Sequence, residues 1–243
     1  SSITLGEPDA FDIVTNTSPL TCHGNNTGFI QVIANGATSP YLFNLDADIN
    51  STGIYAALPA NPAYNLTITD DNNCEFTTTI ELTEPLLLEG TYVVTDANCN
   101  GVCDGQIDVD ATGGVPNYLY SPDNGVTYQT SDILTGLCSG NYQVRIKDDN
   151  GCLLDAVEVV EQPTLITFTM TPTPVTCGND NATITVNTVN GSGTGPYQYS
   201  VSSDNGQNFT PLQTSTIITD LSATNYIVKV TDDNECEQTK SIN

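Results

Sequence analysis

The sequence is nearly without positive charge. Of its 243 residues only four are basic, Arg145, Lys147, Lys229 and Lys240, against 29 acidic ones, for a formal net charge of −25. A nucleic-acid backbone or an anionic membrane calls for a positive face, so neither is expected as a partner. Tryptophan is absent, and there is a single histidine, His23, and a single methionine, Met170. No apolar run reaches the roughly 18 residues of a membrane span, so direct membrane insertion is not expected. Charged residues make up 14%, well under the usual quarter or so. Ser1 opens no signal-peptide pattern, which reads as a mature or internal piece.

Catalytic signatures are missing too. There is no G-x-S-x-G elbow, no H-E-x-x-H pair and no phosphate-cradling loop before a helix. The GSGTG at 191 precedes a strand pattern and reads as a turn. Carboxylates abound but recur in turns rather than converging on a cleft, so no glycosidase dyad stands out. The chain is read as not an enzyme. With no CxxC pair and one histidine, zinc is not expected either.

What is present is β-forming. Val, Ile, Leu and Tyr recur throughout among Thr, Asn, Ser and Asp, which argues against an acidic disordered tail. Eight cysteines, an even number, point to disulfides and an oxidising compartment outside the cytoplasm.

The cysteines also measure a repeat. Cys22, Cys99 and Cys177 lie 77 and 78 residues apart, while Cys74 and Cys152 are 78 apart and Cys236 follows 84 later. Pro8, Pro85 and Pro163 each stand 14 residues before the first cysteine of a unit. PYLF at 40, PNYLYS at 116 and PYQYS at 196 are in phase, as are TDDNNC at 69, KDDNGC at 147 and TDDNEC at 231. Self-similarity at a fixed period marks a tandem array. The units are 9–85, 86–163 and 164–243, preceded by residues 1–8, which match the closing strand of a unit.

Each unit reads as strands. Tyr142, Val144 and Ile146 alternate with polar neighbours, as do Tyr64, Leu66 and Ile68, Tyr226, Val228 and Val230, and Ile107, Val109 and Ala111. Period two is the mark of a half-buried strand. The Asp-Asp-Asn segments then read as hairpin turns, followed by closing strands over 77–82 and 153–160. Six or seven short strands per unit suggest an all-β chain of three immunoglobulin-like sandwiches forming an elongated, disulfide-stapled rod. Such small sandwiches usually need staples. Repeat phase pairs Cys22 with Cys74, Cys99 with Cys152 and Cys177 with Cys236, leaving Cys103 for Cys138. The three phased pairs would close loops of 52 to 59 residues, each worth roughly 4 kcal/mol in the chain-entropy model.

Cys99, Gly105, the stretch Pro116 to Ser121, Leu137, Gly140, Tyr142, Val144, Asp148, Asn150, Gly151, Cys152 and Pro163 together resemble the SprB-type repeat of giant surface adhesins in gliding and related Bacteroidetes. The extra Cys103 and Cys138 look like a variant of that family. The resemblance spans essentially the whole chain. It implies an extracellular, cell-surface tandem-repeat fibre, exported by the secretion route for large surface proteins, with no catalytic residue.

Several residues are candidates for ligand chemistry. Asp70 and Asp71, Asp148 and Asp149, and Asp232 and Asp233 recur at one place in each unit. Ca²⁺ takes six to eight oxygens of the kind such turns offer. The competing reading is a solvated hairpin turn with no cofactor, since no complete D-x-D-x-D-G loop is present. Asn16, Asn25, Asn50, Asn65, Asn181, Asn190 and Asn208 head Asn-x-Ser/Thr sequons, where a glycan would shield a surface fibre. His23 reads as a turn residue rather than a lone ligand. Tyr41, Tyr118, Tyr197 and Tyr199 read either as a carbohydrate-stacking face or as sandwich packing.

The expected function is a structural or adhesive segment of a bacterial surface fibre, with neighbouring repeats or identical subunits as partners, and a glycan or other surface ligand as a further one. Two alternatives stand beside it. Lys240 to Asn243 are in phase with Ser1 to Thr4, so the chain could be a filament subunit whose first eight residues complete a neighbour's last sandwich. It could also be a glycan-binding accessory region of a secreted enzyme.

Overall fold

The computed structural model describes residues 9–175 and 181–242. Every regular element among them is a β-strand. The first repeat holds seven, β1 (Asp12–Ser18), β2 (Gly28–Asn35), β3 (Leu42–Leu45), β4 (Asp48–Asn50), β5 (Ile54–Leu58), β6 (Asn61–Thr69) and β7 (Glu75–Leu82). The second holds six, β8 (Leu86–Thr95), β9 (Gly105–Gly114), β10 (Leu119–Ser121), β11 (Ile133–Leu137), β12 (Gly140–Lys147) and β13 (Leu153–Val160). The third repeats that set as β14 (Phe168–Thr173), β15 (Ala182–Thr188), β16 (Gln198–Ser202), β17 (Ile217–Leu221), β18 (Tyr226–Thr231) and β19 (Glu237–Ile242).

The same pair of antiparallel sheets recurs. One sheet joins the first, second and penultimate-hairpin strands, ordered β1-β2-β5, β8-β9-β11 and β14-β15-β17. The other is β4-β3-β6-β7, β10-β12-β13 and β16-β18-β19. No sheet crosses from one repeat to another among the described residues. The period-two pattern is why: each strand buries one side-chain face toward its partner sheet and leaves the other to water. Ile107 and Val109 are buried while Asp108 and Asp110 are exposed. Val144 and Ile146 face them from β12. Each repeat thus keeps its own core, around Ile30 and Leu66 in the first, Ile107 and Val144 in the second, and Val186 and Val228 in the third. The all-β, immunoglobulin-like sandwich expected from the pattern is the observed architecture.

Two repeated tyrosines tie loops to strands. Tyr41 and Tyr118 donate their hydroxyls to the carbonyls of Gly36 and Gly113, and Tyr197 does so to Ser192, each five residues upstream. At the start of the penultimate strand, Tyr64 donates to Pro59 O and Tyr142 to Cys138 O, in the manner of an immunoglobulin tyrosine corner. The phased Tyr41, Tyr118 and Tyr197 are half-buried and Tyr199 is buried, so these rings pack the sandwich.

Candidate functional site at the joints between repeats

Two of the three disulfides among the described residues link repeats instead of closing them. Cys22 is bonded to Cys152, Cys99 to Cys236, and Cys103 to Cys138. The pairing by repeat phase is thereby corrected. Cys22 does not reach Cys74, Cys99 does not reach Cys152, and Cys236 is taken by Cys99 rather than Cys177. Cys74 is free and exposed. Cys177 lies outside the described residues.

Strand length explains the correction. Thr38 N donates to Asp70 Oδ2 at 3.1 Å, so the turn carrying Cys74 sits beyond the C-terminal end of β2. Cys22 precedes the N-terminal end of the same strand. Eight residues of strand span about 26 Å, and a disulfide needs its Cα atoms within about 7 Å. The first and last cysteines of a repeat therefore sit at opposite ends of the sandwich. Each can meet only the matching end of a neighbour. Cys103 and Cys138 share one end, because Gly105 and Leu137 are paired across β9 and β11.

The two long-range bridges have matching surroundings. Asn150 Nδ2 donates to Thr21 O at 2.9 Å, and Asn234 Nδ2 to Asn98 O at 3.3 Å. Asn98 Nδ2 returns a bond to Asn234 O at 2.9 Å. On the other side, the cysteine turn grips the linker that leaves its own repeat. His23 Nδ1 lies 3.1 Å from Pro85 O, and Asn100 Nδ2 donates to Pro163 O at 3.0 Å. Gly24 N donates to Glu84 Oε2 at 2.6 Å, and Gly101 N to Gln162 Oε1 at 2.7 Å. A joint thus consists of a cysteine turn, the Glu-Pro or Gln-Pro linker, and the acidic turn of the next repeat. His23 is part of this clamp, with Glu84 Oε1 at 3.3 Å.

The acidic turns are built by their first aspartate. Asp70, Asp148 and Asp232 are buried. Asp148 accepts from Cys152 N at 2.7 Å through Oδ1 and from Val115 N at 2.8 Å through Oδ2. Asp232 accepts from Asn234 N, Cys236 N and Thr194 N, and Asp70 from Asn72 N, Cys74 N and Thr38 N. Burial pushes the Asp70 carboxyl up, but the N–H donors of Cys74, Thr38 and Asn72 outweigh it, leaving it below its ordinary value. Each turn closes with a positive φ at Asn73, Gly151 or Glu235; glycine meets that demand without strain in the middle repeat. Asp71, Asp149 and Asp233 are exposed in all three repeats. Among the described residues no group of three or more His, Cys, Asp or Glu side chains is placed to hold a metal ion.

The sequons are scattered. Asn16, Asn65, Asn181, Asn190 and Asn208 are exposed. Asn25 is bonded within its turn to Thr21 and Thr27, and Asn50 Oδ1 accepts from Thr52 N and Gly53 N. Asn65 and Asn208 donate to Asp46 and Asp204.

One repeated device escaped the sequence reading. Ser121 donates to Asp123 Oδ1 at 2.7 Å, Thr127 N and Oγ1 donate to the same carboxylate, and Gly125 N donates to Ser121 Oγ. Ser202, Asp204, Asn208 and Gly206 build the same loop in the third repeat. These bonds hold both carboxyls down at about 2, with the serine hydroxyl the largest cause. The signal was present as SPDNG at 121 and SSDNG at 202, in phase but absent from the first repeat. The basic residues are used internally. Arg145 forks onto Asp155, Lys229 pairs with Glu237, Lys240 donates to Phe168 O, and Lys147 lies over the Tyr128 ring.

A family model described as "SprB repeat" matches residues 14–48, 91–127 and 169–206, once in each repeat. Each of the three repeats thus contains a segment similar to an SprB repeat. The matched segments cover the first strands of each repeat through the tyrosine-bearing strand, and Cys22, Cys99 and Cys177 fall within them. No curated protein matches the chain. Among solved structures, domains A168-A170 from titin align over 97% of both chains at 12% identity and a TM-score of 0.28. The N-terminal eight Ig domains of Down Syndrome Cell Adhesion Molecule align over 96% of this chain and 45% of that one, at 7% identity and a TM-score of 0.36. At such scores neither likeness adds to what the sheets themselves show.

Proposed function

We propose that this run of SprB-like repeats is a structural and adhesive segment of an extracellular bacterial surface fibre. SprB repeats belong to cell-surface proteins, and the three disulfides suit an oxidising exterior. The observation that carries the reading is that both long-range disulfides run between repeats. Bridges inside a sandwich would protect a domain. Bridges between sandwiches, with clamped linkers, make a stalk that bears tension and bends little. Its mechanism is mechanical and non-catalytic, with neighbouring repeats as its partners. Antibody to the chain, applied with gold to intact producing cells, is expected to decorate external fibres. Label that appears only after permeabilisation would sink the proposal.

A second reading, the filament subunit, is favoured by one feature of the third repeat. An apolar groove of about 420 Å³ opens between its sheets, lined by Pro172, Ala182, Ile184, Leu221, Tyr226 and Ile242. In the first two repeats the matching place holds Leu82, packed on Gly28, and Val160, packed on Gly105. A strand from a second copy, bringing Leu5 in phase with Leu82, would fill the groove. Filaments of the purified chain in negative stain, lost on replacing Leu5 by Asp, are the expected outcome. A monomer at high concentration counts against it.

A further inference from the structure

We propose that the outer face of the third repeat carries a cleft, lined by Gln198, Thr231, Asp233 and Glu235, that binds a primary alkylammonium group, the head of a lysine side chain or of a polyamine.

The cleft, of about 480 Å³, lies on the side of β16, β18 and β19 that faces away from the core. Alternation puts Val228 and Val230 in the core and turns Thr231 outward. Across the sheet Thr231 stands between Gln198 and Glu237. It is only 8% exposed, yet its hydroxyl has no hydrogen-bond partner. Native chains rarely leave a buried hydroxyl so, because the lost hydration is not replaced. The rim above it is acidic and only partly neutralised. Asp232 spends its carboxylate on the N–H groups of Thr194, Asn234 and Cys236. Glu237 is paired with Lys229 at 2.8 Å. Asp233 and Glu235 are exposed and have no basic partner among the described residues. Pro196, Tyr197 and Leu212 add an apolar wall, along which an aliphatic stem can lie while its charged head meets oxygen.

The middle repeat supplies its own cation at this place. The residue in phase with Thr231 is Lys147, and the one in phase with Glu235 is Gly151. Lys147 stands between Leu119 and Leu153. Its Cε lies 3.9 Å from where a Cβ on Gly151 would stand, and its ammonium lies 5.9 Å from the centre of the Tyr128 ring. A tethered alkylammonium therefore runs past the acidic turn of the middle repeat. The third repeat cuts that lysine back to threonine, puts Gln198 and Glu237 where the leucines stand, and sets a carboxylate at Glu235. Glu235 has a φ of 64°, a left-handed conformation that is costly for any residue but glycine. The lost lysine leaves room, and the added acid leaves charge to be met from outside. An ammonium offers three donors, which Thr231 Oγ1, Gln198 Oε1 and a rim carboxylate can accept. Among the described residues no three His, Cys, Asp or Glu side chains are grouped to hold a metal ion, which favours an organic cation over Ca²⁺. The cleft works in the same way whether or not the chain is part of a fibre, so its failure leaves that reading untouched.

The test is calorimetric titration of the full chain with Nα-acetyl-lysine amide, with spermidine, and with calcium chloride alone. A single ammonium site per chain is expected, with no binding of the lysine probe once its Nε is acetylated. Thr231→Lys and Glu235→Gly install the middle repeat's own residues, so both variants are expected to fold. Thr231→Lys is expected to abolish binding, because its tethered ammonium fills the cleft. Glu235→Gly and Glu235→Gln are expected to weaken it about tenfold or more, the loss of one charge-assisted hydrogen bond. Asp149→Asn, in phase with the Asp233 rim but in the middle repeat, is expected to change nothing. Tighter binding of the lysine probe than of spermidine identifies a polypeptide as the source of the ammonium, and the reverse identifies a free polyamine. Binding of neither probe at millimolar concentration, binding untouched by Thr231→Lys and Glu235→Gly, or Ca²⁺ binding lost in those same variants would overturn the proposal.

Discussion

Pulled by its two ends without reductant, the unfolded chain reaches only about a fifth of the contour length it reaches once reduced. Force entering at Ser1 runs to Cys22 and crosses to Cys152. It returns along the chain to Cys138, crosses to Cys103, continues to Cys99, and crosses again to Cys236. Only the segments 1–22, 138–152, 99–103 and 236–243 can stretch, about 46 residues in all. At roughly 3.4 Å per residue that is about 160 Å, against about 830 Å for the reduced chain of 243 residues. Bridges closed within each repeat would instead allow about 270 Å. Cys22→Ser removes one crossing and lengthens the path to about 360 Å. Single-molecule force extension distinguishes these values, and a contour near 270 Å in the oxidised wild type would refute the interlocked pairing. Interlocking suits a tether: even with every sandwich unfolded, the segment cannot pay out its sequence.

Asp148→Ala is expected to destabilise the second repeat by about 3 kcal/mol, since two N–H groups, of Val115 and Cys152, lose their acceptor and each costs about 1–3 kcal/mol when left unpaired. Nothing nearby can replace it. Asp148 is 2% exposed, and a Cβ on Gly114 would already lie 2.6 Å from its Oδ2. Asp148→Asn keeps one acceptor oxygen and is expected to lose about half as much. Urea unfolding followed by tyrosine fluorescence gives the free energy, and hydrogen exchange at Val115 and Cys152 locates it. A calcium ligand would show its loss only when calcium is present. A turn-building carboxylate loses the same stability with or without chelator. A change under about 1 kcal/mol would remove Asp148 from the role given to it here.

Much of this was legible in advance because it is local. Tyr142, Val144 and Ile146 alternate with polar residues, and β12 follows with Val144 and Ile146 fully buried. The Asp-Asp-Asn segments were turns, with positive φ where Asn73 and Gly151 stand. The inward role of Asp70, Asp148 and Asp232 was harder to see, because a carboxylate that folds back onto backbone N–H groups has the same sequence as one that faces water. The Ser121-Asp123 and Ser202-Asp204 loops were visible as SPDNG and SSDNG, but a motif in two repeats of three is easily passed over.

By itself the sequence determined the period, the strands, the sheet faces and which cysteines are equivalent. These follow from alternation and spacing, which are properties of neighbours along the chain. Only the tertiary structure decided which cysteine bonds to which. Phase states position within a repeat and is silent about which repeat a bond reaches. That choice was made by the length of β2 and its equivalents, which carries the first and last cysteines of one sandwich to opposite ends, about 26 Å apart, and brings each within bonding distance of the next.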